Sequence, residues 1–205
     1  MSQRITDYLH TDMQSWRHRI HRWPELGFEE TRTAAMVVEL LRSWNIETHS
    51  AVGGTGVVGV LKRGVGQRMI GLRADMDALA ITERNTFDHC SQVPGTMHAC
   101  GHDGHTAMLL GAAQHLSLHG RFDGTAVFIF QPAEEHGMGA KAMLADGLFE
   151  RWPVNDVYAI HNFPSLPRGR FVVRSGPVMA SEDNFEIVIQ GVGHHANGIV
   201  KGDHF

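Results

Sequence analysis

Ile5, Leu9, Met13, Trp16 and Ile20 follow one another at spacings of four, four, three and four, which lines them along one face of a helix predicted over 5–22. Pro24 ends it, because proline disfavours helical backbone in the residue before it. A second amphipathic helix is predicted over 29–44, with Ala34, Val37, Val38 and Leu41 facing inward and Asn45 as its stop. The period then changes. Val57-Val58-Gly59-Val60-Leu61, entered through Gly53-Gly54-Thr55-Gly56, reads as a short buried strand, and 69–75 as a second. Residues 76–100 carry turn-forming Asn85, Asp88, Ser91, Pro94 and Gly95 and read as loop. A helix over 104–119, N-capped by Asp103, carries Met108, Leu109, Ala112 and Leu116 on one side. A strand over 125–130, a helix over 140–148 and a buried strand over 157–160 complete the alternation, which argues for an α/β sheet with helices on its faces. Past Arg170 the pattern becomes strand-like again, at 171–174 and in the alternation of Phe185, Ile187 and Ile189 within 181–190. A lone strand cannot bury its own face, so this tail is expected to open a second unit.

Composition narrows the partners. The 205 residues carry 18 basic and 22 acidic side chains, a net charge of −4, and 42% hydrophobic residues, the profile of an ordinary soluble globular chain. With no Lys/Arg block, nucleic acid is not expected as a partner, and no apolar run is long enough for a membrane span. The first ten residues lack the apolar core of a secretory signal, and two cysteines cannot build a disulfide framework, so a reduced, cytoplasmic setting is expected. The unusual figure is 15 histidines, which directs attention to metal chemistry or proton transfer.

Four groups carry that chemistry. His98-Ala99-Cys100-Gly101-His102-Asp103-Gly104-His105 packs three imidazoles, a thiol and a carboxylate into eight positions before a helix; thiolate and imidazole are good ligands for zinc and tolerable ones for manganese, nickel or cobalt. Glu134-Glu135 follows a strand, where two adjacent carboxylates repel unless a cation compensates them; one would bind metal while the other takes a proton. His161 ends the strand at 157–160, and Asp75 and Asp77 close the strand at 69–75, where an aspartate suits hydrogen bonding to a ligating imidazole. Each group alone also reads as a polar loop, an acidic turn, a packing histidine or a strand-end turn. All four falling at strand ends or in a strand–helix loop, where open α/β sheets place their sites, favours a metal site of at least two ions.

The segments HRWPELGFEE (21–30), GGTGVVGVLK (53–62), LRADMDAL (72–79), PGTMHACGHDGHTAMLLGAA (94–113), FQPAEE (130–135) and AIHNFP (159–164) resemble, in this order, the amidohydrolase branch of the M20 metallopeptidase family, which includes hippurate hydrolases and N-acyl-amino-acid amidohydrolases. The resemblance implies a zinc-exopeptidase-like catalytic domain, a mixed sheet with helices on both faces, over 1–180. Residues 181–205 would begin an α+β lid and dimerisation domain. It further implies two divalent ions (Mn, Zn, Ni or Co), with Cys100 shared between them, His102 and Glu135 each holding one, and His161 in the second site. Glu134 would be the general base, Asp77 would support a ligand, and His195, in GVGHHA, would steady the oxyanion, in relatives across a homodimer. The implied reaction is hydrolysis of an N-acyl amino acid; dipeptide cleavage by an M20 exopeptidase and a non-catalytic metal-binding remnant are the alternatives.

The chain departs from that pattern after Ala196. Relatives have glycine where His194 stands and a Pro-His pair where 197–205 run on, and they supply a last metal histidine from near their C-terminus; His204 is in the wrong context to replace it. Ala80 stands where relatives usually carry proline. The expectation is a truncated or frame-shifted product with weak or no amidohydrolase activity.

Overall fold

The computed structural model describes residues 7–180 and 185–191. Ile5, the first part of the 181–190 segment, and His195 with the other residues of 192–205 lie outside them.

Two helices open the chain, α1 (Asp7–Arg22) and α2 (Thr31–Ser43). Leu9 and Ile20 of α1 and Val37 and Leu41 of α2 are buried, as their spacing predicts; Met36, outside the expected face, is buried too, while Ala34 and Val38 are half-buried. Glu25 holds the start of α2: its carboxylate accepts the Arg32 and Thr33 N–H groups, each at 2.8 Å, two of the donors a helix leaves unpaired at its first turn. Asn45, in left-handed backbone at φ 57°, stops it.

Five strands follow in the spatial order β1-β2-β4-β3-β5. β1 (Glu47–Val52) pairs antiparallel with β2 (Gly56–Arg63), and β2 pairs antiparallel with β4 (Gly124–Gln131). β3 (Met69–Asp75) lies parallel to β4 on one side and to β5 (Asp156–Ala159) on the other. The sheet is therefore mixed. β1 escapes the hydrophobic pattern because Glu47-Thr48-His49-Ser50 is a polar edge strand, tied in by a hairpin through Gly53 and Gly54, both at positive φ. β5 corrects the expectation of a buried strand: it is the other edge, with Tyr158 56% exposed.

β4 is buried along its whole length and divides its side chains between two cores. Ala126, Phe128 and Phe130 face α1, α2 and α3 (His102–His119), packing with Ile20, Leu41, Leu109 and Leu110. Val127 and Ile129 face the other way, onto Met143 of α4 (Gly139–Ala145), Leu148 of α5 (Leu148–Arg151) and Trp152. Helices thus cover both faces of the sheet. The single helix predicted at 140–148 is divided at Gly147, whose φ of 79° a continuing helix does not allow. Among the described residues, no helix is long and apolar enough to cross a membrane.

Residues 1–163 form one compact unit and 164–205 a second. Among the described residues of the second unit there is no strand: the one predicted at 171–174 is not formed, and neither is the described part, 185–190, of the one predicted over 181–190. Phe171, Val173, Phe185, Ile187 and Ile189 are all exposed. Alternation sets which way side chains would point, but a strand needs a ladder partner, and among the described residues no strand pairs with these segments.

Candidate metal centre

Because β3, β4 and β5 run parallel, their carboxyl ends meet at one rim; Asp75 lies opposite Gln131, and Arg73 opposite Ala159. The residues just beyond these ends are Asp77, Glu134-Glu135 and His161. α3 starts over the same rim, two residues earlier than predicted. Gly101, at φ 92°, turns the chain into it, so that Cys100 and His102 arrive together with the helix N-terminus. Asp103 does not cap the helix. Its carboxylate turns inward to His21 Nδ1 at 2.9 Å and Arg17 Nε at 3.1 Å.

The candidate ligands converge. Cys100 Sγ lies 3.5 Å from His161 Nε2. His102 Nε2 lies 3.8 Å from Glu135 Oε1 and 3.9 Å from Glu134 Oε2. Donor atoms of Cys100, His102 and His161 fall within 4.8 Å of one another, and so do those of His102, Glu134 and Glu135. His102 is common to both sets. Its Nδ1–H is held by Asp77 Oδ1 at 3.1 Å, which leaves Nε2 as the lone-pair nitrogen facing the acids. Asp77 Oδ2 meanwhile accepts the Glu135 N–H at 2.9 Å, fixing the acidic loop to the histidine. His161 donates its Nδ1–H to the Asn162 carbonyl at 2.7 Å, so its free nitrogen is the one beside the thiol.

The electrostatics are those of a site with too much negative charge for its burial. Burial, then the Glu135, Glu134 and Asp75 carboxylates, push the Cys100 thiol up to about 12. Glu135 is also raised, mainly by burial. Burial opposes protonation of His102, but Asp77, Asp75 and Glu135 together raise its pKa. The fit to a cation is testable on the polar atoms left over. His102 Nε2 and Glu135 Oε1 are both buried and have no hydrogen-bond partner, an arrangement that costs about 1–3 kcal/mol per group unless something else satisfies it. A thiol, two imidazoles and a carboxylate around those atoms make a donor set suited to borderline divalent ions.

The loop carrying the acids is braced from a distance. Glu30, fully buried, accepts the Ala133 N–H at 2.7 Å on one oxygen and the Thr55 hydroxyl on the other. Ala133 itself sits at φ 44°, a left-handed turn that swings Glu134 and Glu135 over the rim. Glu134 is the more open of the pair, its side chain 39% exposed against 20% for Glu135.

Of the residues singled out from the sequence, Cys100, His102, Glu134, Glu135, His161 and Asp77 are brought together at this rim. His98 is not among them: it is 4% exposed, burial drives its pKa to about 4, and it belongs to none of the donor groups found among the described residues. His195 lies outside the described residues. Sequence reasoning assigned nothing to Glu30, and placed His105 in the metal-compatible cluster at 98–105 without a role of its own. Nothing in the hydrophobic pattern marks a buried carboxylate such as Glu30. His105 had a signal, since it lies three residues after His102 and shares its helix face.

A family model described as peptidase family M20/M25/M40 matches residues 71–198. The chain is 45% identical over 193 residues to a hippurate hydrolase of Campylobacter jejuni, covering 94% of this chain and 50% of that protein. It is 43% identical over 198 residues to an N-acyl-L-amino acid amidohydrolase of Geobacillus stearothermophilus, covering 94% and 52%. The chain thus spans about half the length of these curated relatives. Among solved structures, the Bacillus subtilis YXEP protein, described as a dinuclear metal binding peptidase from the M20 family, superposes with a TM-score of 0.75 at 39% identity, over 79% of this chain and 45% of that one. A family model that spans the rim strands and the Cys100–His105 turn leaves one assignment: the chain belongs to peptidase family M20/M25/M40.

Proposed function

We propose that this chain is the metal-binding part of an amidohydrolase of N-acyl amino acids, with hippurate-like compounds as substrates. Cys100, His102, Glu135 and His161 would hold two divalent ions, of which zinc and manganese suit the donors. When bound, such ions act as Lewis acids and lower the pKa of water. Glu134, the open carboxylate at the mouth, accepts the proton of the attacking water and returns it to the leaving nitrogen. Asp77 keeps His102 in the tautomer that presents Nε2. His195, outside the described residues, would steady the developing oxyanion, and residues 181–205 would begin the lid through which a homodimer forms. The observation that carries this reading is the buried, unpartnered pair His102 Nε2 and Glu135 Oε1, 3.8 Å apart beside Cys100 and His161. The relatives named as hippurate hydrolase and N-acyl-L-amino acid amidohydrolase support the substrate class.

The test is metal analysis of the purified chain together with a panel of N-benzoyl and N-acetyl amino acids and dipeptides. Two ions per chain and slow hydrolysis confined to the N-acyl compounds are expected, with Glu134→Gln losing turnover and keeping its metal. Preference for dipeptides would replace the amidohydrolase with an exopeptidase. Failure to take up metal would leave a remnant, and turnover matching a full-length relative would overturn the weak-activity reading.

A further inference from the structure

His161 stands where the sheet no longer holds the chain. β5 is four residues long, and its pairing with β3 ends at Arg73 and Ala159, two residues short of the histidine. What fixes the next turn is a side chain from α3. The Asn162 N–H donates to His105 Nε2 at 3.1 Å, and the other ring nitrogen of His105, Nδ1, lies 2.6 Å from Asp75 Oδ1. We propose that His105 is a positioning residue for His161: with its tautomer set by Asp75, it grips the backbone of Asn162 and so aims the His161 ring at Cys100. This rests on the reading of His161 as a metal ligand.

The hydrogen bonds allow one arrangement. A backbone N–H can only donate, so Nε2 of His105 must carry the lone pair, and the proton must sit on Nδ1, donated to the carboxylate. Asp75 is itself held, with Oδ2 2.7 Å from Arg73 Nη1, and its backbone carbonyl accepts the Thr106 hydroxyl at 2.8 Å, locking the start of α3 to the end of β3. From Asn162 the connection continues through its carbonyl, which accepts the His161 Nδ1–H. The path Arg73–Asp75–His105–Asn162–His161 therefore ends on Nδ1 of the ring whose other nitrogen, Nε2, faces the thiol. Two packing features agree. The His105 and His161 rings meet edge to face with centroids 4.6 Å apart. A Cβ on Gly101 would come within 2.6 Å of the Asn162 side-chain oxygen, so the ligand loop runs directly against this residue.

The competing assignment makes His105 a ligand, because donor atoms of Asp75, His102 and His105 also lie within 4.8 Å of one another. Both ring nitrogens of His105 are already engaged, and Asp75 is divided between His105 and Arg73. His105 therefore has no lone pair left to offer an ion; the atoms of that trio without a hydrogen-bond partner are His102 Nε2 and Asp75 Oδ2, 3.8 Å apart.

Two near-isosteric substitutions separate these roles. The amide nitrogen of His105→Asn falls near Nδ1 and keeps the Asp75 contact while losing Asn162. The terminal amide of His105→Gln falls near Nε2, and its oxygen can still accept the Asn162 N–H. The full chain is measured twice: without metal, by hydrogen exchange at the Asn162 amide, and with Co(II) alone, by titrating the absorption of the Cys100 thiolate–cobalt bond. The expected result is a protected Asn162 amide and tight cobalt binding in the wild type and in His105→Gln. In His105→Asn, the amide loses its protection and cobalt affinity drops about 10–100-fold, the usual cost of removing support from a ligating histidine. An unprotected Asn162 amide in the wild type overturns the proposal without any variant needing to fold. Equal loss of cobalt in both variants, which a ligand or simple packing residue would give, overturns it, as does unchanged binding in His105→Asn. A wild type that takes up no cobalt overturns instead the metal-binding reading beneath it.

Discussion

Asp77 and His102, 25 positions apart in the chain, share a fully buried hydrogen bond of 3.1 Å, and the same carboxylate holds the Glu135 backbone with its second oxygen. One aspartate therefore orients an imidazole from α3 and an acid from the loop after β4. Removing it releases both.

Asp77→Ala is accordingly expected to weaken metal uptake about 10–100-fold. It also leaves His102 Nδ1 and the Glu135 N–H without their acceptor, at a cost of about 1–3 kcal/mol in stability. Calorimetric titration with Mn(II) or Zn(II) and urea unfolding measure the two effects. Unchanged affinity would show that His102 does not depend on this partner.

The Cys100 thiol, raised to about 12, is protonated at neutral pH in the metal-free protein. Metal must bind the thiolate, so uptake at pH 7 is expected to release a proton from Cys100, and Cys100→Ser should release about one fewer. A pH-indicator titration in weak buffer reads this directly. The same protonation predicts slow alkylation of Cys100 by iodoacetamide before metal is added, followed by mass spectrometry of its peptide, because the thiolate is the reactive form.

Much of this arrangement is visible in the amino-acid order once two periodicities are combined. Asp75 and Asp77 are two apart at the end of a strand, so they share a side; His102 and His105 are three apart at the start of a helix, so they share a face. The structure pairs them in order, Asp77 with His102 and Asp75 with His105. β2 and β4 are legible because continuous apolar runs bounded by turn-forming glycine or proline have few other fates, and β3 because its apolar residues lie between Gly66 and the Asp75–Asp77 pair. β1 is not, being polar and held by its hairpin, and neither are the ends of α3 and α4, which depend on Gly101 and Gly147 adopting left-handed backbone. Long-range braces such as Glu30 on Ala133 join positions 103 residues apart, and no local pattern encodes them. The alternation after Arg170 misled because it reports side-chain direction and carries no information about a pairing partner.

Gly101 combines both demands that only glycine meets, a φ of 92° and the approach of Asn162. Gly101→Ala is expected to lose about 1–2 kcal/mol from left-handed strain alone, measured as a lower urea midpoint with unchanged m-value. Its Cβ would also push Asn162 aside, so metal affinity should fall further than in Gly104→Ala, where a Cβ meets nothing within 4 Å. Equal affinities in the two variants would remove Gly101 from the account of the site.

The His21–Asp103 pair gives stability a pH dependence that can be worked out in sign. Burial disfavours the charged form of Asp103, but the hydrogen bond to His21 and the charges of His98, Arg17 and His21 prevail and hold it at about 2. The hydrogen bond to Asp103 is the largest influence on His21 and raises it above its ordinary 6.5, helped by Glu83 and opposed by burial. A histidine raised in the folded state adds stability that is full below pH 6.5 and is lost as pH climbs through its folded value; a depressed aspartate adds stability that is present above about 4 and is lost as pH falls toward 2. The pair therefore contributes most between about pH 4 and 6.5. Urea midpoints are expected to decline on the alkaline side of 6.5 in the wild type. In His21→Gln that decline should flatten, and stability at pH 6 should drop by about 1–3 kcal/mol, because Asp103 keeps Arg17 and loses its other partner. A wild-type alkaline decline that survives intact in His21→Gln would assign the effect to another group.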